Sequence, residues 1–133
     1  MTVFDTNFLI YLLRNKAAAE VADYYTNPKM TSITLFELYF GSKRSVKQEE
    51  SISGINSLLK SVDLLLFDEP AAWKAGEIQA KLINSGKPID LQDVLIAGIV
   101  LSRNEELVTN NVDHFGRIPG LKFRSWKLGD YGR

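Results

Sequence analysis

Short apolar runs alternate along the chain with longer segments in which apolar residues recur at helical spacing. Val3-Phe4 is a brief apolar run ending at Asp5 and predicts a first strand, and Phe8 to Leu13 predicts a helix behind it. Ala17 to Tyr25 predicts a second helix, stopped by Asn27-Pro28. Met30 to Ile33 predicts a strand, Thr34 to Phe40 a helix with Gly41 as its stop, and Val46 to Lys60 a further helix, with Ile52, Ile55, Leu58 and Leu59 on one face. Val62 to Phe67 predicts a strand. A helix opening at Pro70 follows, running to about Asn84 and ending at Gly86. Asp90 to Arg103 predicts a helix apolar nearly all round, from Val94 through Leu101, and such a helix is a buried one. Leu107 to Thr109 and Leu121 to Phe123 predict the last strands. Strands alternating with helices predict an α/β domain with a mainly parallel sheet, whose sites form beyond the carboxyl ends of the strands.

Composition narrows the chemistry. The 133 residues are 45% hydrophobic and 24% charged, ordinary for one globular domain spanning 1–133 and unlike a disordered chain. Sixteen Lys and Arg balance sixteen Asp and Glu, so nucleic acid must be held by a local patch and not by a global field. There is no cysteine, and His114 is the only histidine; disulfide scaffolds, thiolate zinc sites, cysteine nucleophiles and multi-histidine metal sites are excluded. Asp5 precedes the apolar stretch Phe8 to Leu13 while Arg14 and Lys16 follow it, the reverse of a secretory leader. No stretch reaches the 18 or more apolar residues of a membrane span. A soluble, cytoplasmic protein without a membrane partner is expected.

Three carboxylates have apolar neighbours. Asp5 lies between strand and helix in Phe4-Asp5-Thr6-Asn7, Glu37 within Thr34-Leu35-Phe36-Glu37-Leu38, and Asp93 at the mouth of the most hydrophobic helix. Taken singly, each fits helix capping. Thr34 with Glu37 has capping-box spacing, Asp90 with Asp93 nearly so, and Asp5 or Thr6 suits the first N-cap. Taken together, they form an oxygen-only donor set suited to a hard cation such as Mg²⁺ or Mn²⁺, which relieves their mutual repulsion. Spacing alone does not show that they converge.

Four motifs supply that step. Val3-Phe4-Asp5-Thr6-Asn7, Thr34-Leu35-Phe36-Glu37-Leu38-Tyr39-Phe40-Gly41, Pro88-Ile89 with Asp93-Val94-Leu95-Ile96-Ala97, and Leu107-Val108-Thr109-Asn110-Asn111-Val112-Asp113-His114-Phe115 with Arg117-Ile118-Pro119-Gly120-Leu121 occur in this order over essentially the whole chain. Together they resemble the PIN-domain ribonucleases, and most of all the VapC-type toxins of prokaryotic toxin–antitoxin pairs. The resemblance implies a Rossmann-like α/β/α sandwich with a central, mainly parallel sheet of about five strands. It implies that Asp5, Glu37 and Asp93 meet at one edge to bind Mg²⁺ or Mn²⁺, where a metal-bound water attacks a phosphodiester of RNA. The family's fourth acidic position falls on Asn111, whose amide oxygen adds no charge; this suggests one firmly held ion and a second bound weakly or with substrate. Asp113 is the alternative to Asn111, and Asp90 reads as an N-cap before a ligand. Thr6, Asn7 and Thr109 also match family positions; they read either as groups that hydrogen-bond the carboxylates or as turn and cap residues. The resemblance further implies an RNA substrate, a cognate VapB-type antitoxin lying across the early helices, and a homodimer.

The basic residues Lys43, Arg44 and Lys47, with Arg14 and Lys16, read as solvated charge or as a local phosphate clamp beside the metal. Tyr11, Tyr24, Tyr25, Phe36, Tyr39 and Phe40 read as core, or in part as a hydrophobic groove. His114 reads as a turn cap or surface residue. A PIN nuclease of RNA processing, without a toxin role, and a noncatalytic PIN-like protein-binding domain are the competing functions. An aspartyl-phosphate phosphotransferase fits poorly, because it needs Asp-x-Asp and Asn7 stands at the third position.

Overall fold

The computed structural model describes residues 2–15, 25 and 27–126. Strand β1 (Thr2–Phe4) is central, flanked by β2 (Pro28–Thr31) and β4 (Glu106–Val108), with β3 (Asp63–Leu65) and β5 (Lys122–Arg124) at the edges. All neighbours are parallel, in the order β3-β2-β1-β4-β5. Parallel pairing requires crossovers, and these carry α1 (Thr6–Arg14), α2 (Ser32–Lys43), α3 (Gln48–Leu59), α4 (Glu69–Asn84), α5 (Leu91–Ser102) and the short α6 (Val112–Phe115).

Alternation along the strands separates two cores. Val3 and Leu107 face one side with Ile78 and Leu82 of α4 and Val94, Ile96, Ala97 and Val100 of α5. Phe4 and Val108 face the other with Phe8 and Leu9 of α1, Leu38 of α2 and Ile55 of α3. The result is the α/β/α sandwich expected from the sequence. The buried character of α5 follows as well, since its residues from Val94 to Val100 are covered except Leu95. Among the described residues, no helix is long and apolar enough to cross a membrane.

Several boundaries differ from the sequence reading. The strand expected from Met30 to Ile33 begins at Pro28 and stops at Thr31, because the Thr31 hydroxyl accepts from the Thr34 amide at 3.1 Å and starts α2 at Ser32. Thr34 is therefore inside the helix, and the Thr34–Glu37 capping box does not form. Gly41 does not end that helix; α2 runs on to Lys43, and the buried Ser42 hydroxyl meets that of Ser51 on α3 at 2.6 Å. Gly86 does stop α4, with φ of +71°. The carbonyl of Asp90, not its side chain, caps α5 by accepting from the amides of Asp93 and Val94. The short helix α6 follows Asn111. The helix expected over Ala17 to Tyr25 lies outside the described residues except for Tyr25, which packs edge-on to Phe4 at 5.3 Å.

Helices α4 and α5 touch at backbone distance. A Cβ on Gly98 would stand 2.7 Å from the Ala71 carbonyl oxygen and 2.8 Å from the Ala75 Cβ. Neither neighbour is a flexible side chain, so Gly98→Ala is expected to lower stability by about 1–3 kcal/mol. Urea unfolding measures this, and an unchanged midpoint would show that the two helices have slack.

Candidate metal centre

The carboxyl ends of β1, β2 and β4 deliver polar residues to one edge of the sheet. Asp5 follows directly on β1, and its amide donates to the Val108 carbonyl at 3.1 Å, which pins it to the end of the ladder. It is only 4% exposed. Its Oδ1 accepts from the Phe8 amide at 2.8 Å, so it caps α1 as the sequence suggests. Its Oδ2 accepts from the Thr109 hydroxyl at 2.5 Å. That hydroxyl accepts in turn from the Asn111 backbone amide at 2.9 Å, and the Thr109 backbone amide donates to the Arg124 carbonyl of β5 at 3.0 Å.

Glu37 projects from α2 and is half-buried. Thr6 Oγ1 donates to Glu37 Oε1 at 2.7 Å and lies 3.0 Å from Thr34 Oγ1. Thr6 has one proton, and the carboxylate takes it, so Thr34 donates to Thr6. The chain of hydroxyls runs back to Thr31, 3.3 Å from Thr34. Because Thr31 and not Thr34 caps α2, the Thr34 hydroxyl is free to support the one that holds Glu37.

Asp93, on the first turn of α5, is held differently. Its Oδ2 lies 3.1 Å from Asn111 Nδ2 and 2.8 Å from His114 Nδ1. Its carboxylate is absorbed by these two groups and makes no cap bond with Asp90. His114 is therefore neither a turn cap nor a plain surface residue, because α6 swings its ring back onto α5. The sequence offered one signal for it, a place three residues after Asn111. Among the described residues, donor atoms of Asp90, Asp93 and His114 lie within 4.8 Å of one another.

The remaining candidates divide. Asn7 is exposed on the first turn of α1. Asp113 stays outside the cluster, exposed and paired with Arg117 at 3.0 Å, which itself donates to the Pro88 carbonyl. Arg14 and Lys47 share with Glu37 a cleft of about 320 Å³ between α1, α2 and α3. Lys43 and Arg44 are outside its lining; the Arg44 guanidinium sits 5.5 Å over the Phe40 ring, which stacks on Phe36. Phe36 and Phe40 are exposed, whereas Tyr11 packs on Trp126 and Tyr39 against the core.

The electrostatics show that the three carboxylates share one field. Burial pushes the Asp5 carboxyl up to about 6 against the bonds from Thr109 and Phe8, with Asp93 and Glu37 adding to the rise. Burial also raises Glu37, against its Thr6 bond, helped by the charges of Asp93 and Asp90. Among the described residues, none of the three pairs with a lysine or arginine. An uncompensated group of oxygen donors at a strand edge can hold a metal ion.

The family described as PIN domain matches residues 2–121. The chain belongs to the PIN-domain family. Within it, this PIN domain sides with the VapC ribonucleases. It is 35% identical over 127 residues to the tRNA(fMet)-specific endonuclease VapC of Shigella flexneri, covering 93% of this chain and 96% of that one. The crystal structure of DNA-bound VapBC from Salmonella typhimurium superposes with a TM-score of 0.89 at 33% identity, covering 95% of this chain and 98% of that one. VapBC2 from Rickettsia felis, bound to a DNA fragment from its promoter, gives 0.86 at 28% identity with the same coverage.

The raised Asp5 carboxyl makes a stability prediction for the PIN domain. A group that holds its proton more tightly folded than unfolded stabilises the fold at low pH and loses that contribution as pH rises from about 4 to about 6. Asp5→Asn keeps the cap on Phe8 and removes the charge. In EDTA at pH 7.5 it is expected to be more stable than the parent by about 1–3 kcal/mol, with a smaller gain at pH 4.5. A loss of stability, or a gain equal at both pH values, would contradict the assignment.

Proposed function

We propose that this chain is a Mg²⁺- or Mn²⁺-dependent endoribonuclease in which Asp5, Glu37 and Asp93 hold the ion, and that it acts as the toxin of a VapBC-type pair. The observation that supports the reading is the electrostatic coupling of Asp5 to Glu37 and Asp93 at the carboxyl edge of the sheet, with no lysine or arginine paired to any of the three among the described residues. Oxygen donors with no thiolate suit a hard cation, so these residues fit the ion. When bound, such an ion supplies positive charge to a phosphodiester and lowers the pKa of a coordinated water.

The chain's own residues do the rest. Thr109 and the Phe8 amide fix Asp5, Thr6 fixes Glu37, and Asn111 turns its amide toward Asp93 in place of a fourth carboxylate. An acid at position 111 would set two anions about 3 Å apart; the amide relieves that repulsion and leaves fewer anionic ligands, in keeping with one firmly held ion. Arg14 and Lys47, on the cleft that Glu37 also lines, suit the phosphates flanking the scissile bond, the local patch that a chain of zero net charge requires. The name borne by the Shigella and Salmonella relatives makes transfer RNA the first substrate to test. A VapB-type antitoxin, a homodimer, a single domain and a cytoplasmic setting complete the reading. The VapBC relatives of known structure support the first of these.

Purified protein is expected to cut RNA into discrete products with Mn²⁺ or Mg²⁺ and not with EDTA. Asp93→Asn is expected to lower the rate about 100-fold or more, beyond the 10–100-fold typical of groups outside the ligand shell. Cleavage at the parent rate by this variant would show that the ion, if any, is held elsewhere.

A further inference from the structure

His114 has no place in the reading above, yet it makes the shortest contact to Asp93. Its Nδ1 is 2.8 Å from Asp93 Oδ2, and Asn111 Nδ2 is 3.1 Å from both of those atoms. An unprotonated Nδ1 at that distance would set its lone pair against that of a carboxylate oxygen, so Nδ1 carries a proton and donates it. The same bond removes Nδ1 from any role as a metal ligand. The closeness of Asp90, Asp93 and His114 is therefore not a second ion site through that nitrogen. Two donors, one from the imidazole and one from the amide, converge on Oδ2 and turn Oδ1 of Asp93 into the freer oxygen.

The geometry points to His114 as a positioning residue: its Nδ1–H, beside the Asn111 amide, fixes the rotamer of Asp93 and so sets the affinity of the acidic centre for its divalent ion. This rests on the metal-dependent reading above. Three features support it. The ring is half-buried, so the bond is partly shielded from water. It stands on α6, whose Phe115 is buried in the core under the sheet and anchors the turn. Asn111 is aligned from the other side by Thr109, the same hydroxyl that binds Asp5, so the tethers of two carboxylates meet at one residue.

The test is Mn²⁺ affinity measured by titration calorimetry on the parent, His114→Ala and His114→Asn, with thermal unfolding in EDTA as a check on folding. Asn places a nitrogen donor at the position of Nδ1 and removes Nε2. His114→Ala is expected to weaken Mn²⁺ binding by about 10–100-fold. His114→Asn is expected to recover affinity to within a few-fold of the parent, and RNA cleavage at sub-saturating Mn²⁺ should follow the same order, with the difference closing as Mn²⁺ saturates. Equal affinity of parent and His114→Ala would overturn the role of His114 while leaving the metal centre intact. A His114→Asn variant as weak as His114→Ala would move the function to Nε2 and overturn it as well. A parent that binds no Mn²⁺ would sink the metal-dependent reading and this inference with it.

Discussion

A carboxylate buried at the end of the central strand organises this molecule. Asp5 is fixed by strand pairing on one side and by the first turn of α1 on the other, and burial alone would drive it to the neutral acid. Two neighbouring carboxylates make that worse. The surrounding structure answers with hydroxyls, amides and one imidazole, and among the described residues with no lysine or arginine. Hydroxyls and amides orient the oxygens without cancelling their charge, whereas a guanidinium in the same position would occupy the centre and close it to a cation.

That choice sets the architecture of the edge. β1, β2 and β4 end side by side, so Asp5, Thr31 and Thr109 start from neighbouring positions. α1 and α2, which leave β1 and β2, bring Thr6, Thr34 and Glu37 together on one side of the sheet; α6, which leaves β4, brings His114 beside Asn111 onto Asp93 of α5, the helix that leads into β4. The two cores hold these helices at fixed distance, and the bare contact at Gly98 lets α5, which carries Asp93, sit closely on α4.

The layers of the sandwich were legible in the sequence because each rests on a pattern of its own. Alternating Val3 and Phe4 separate the two faces, and the continuous apolar stretch of α5 marks a helix without a solvent side. The acidic residues were legible as types in company, and their meeting came through the resemblance, since no spacing rule places Glu37 beside Thr6 across 31 positions. The sequence leaves the start of α2 open because Thr31 and Thr34 are equivalent as N-caps; only the end of β2 decides for Thr31. His114 reads as a turn cap or surface residue because a lone histidine has no partner in sequence. Its partner, 21 residues earlier, exists only once α6 folds against α5. Asp113 failed for the opposite reason, a local partner in Arg117 that spacing does show.

The bond from Thr109 to Asp5 joins positions 104 apart. Each oriented carboxylate is thus completed by a segment distant in the chain, and Asp5 and Asp93 both depend on the stretch from Thr109 to His114. Contacts of such separation carry the entropic cost of closing the long loop between them. During synthesis from the N-terminus, the first motif emerges long before its tether, and for most of that time the acidic residues belong to no common centre. A chain whose activity is destruction of RNA therefore carries an acidic edge whose tethers exist only once its last third has been made.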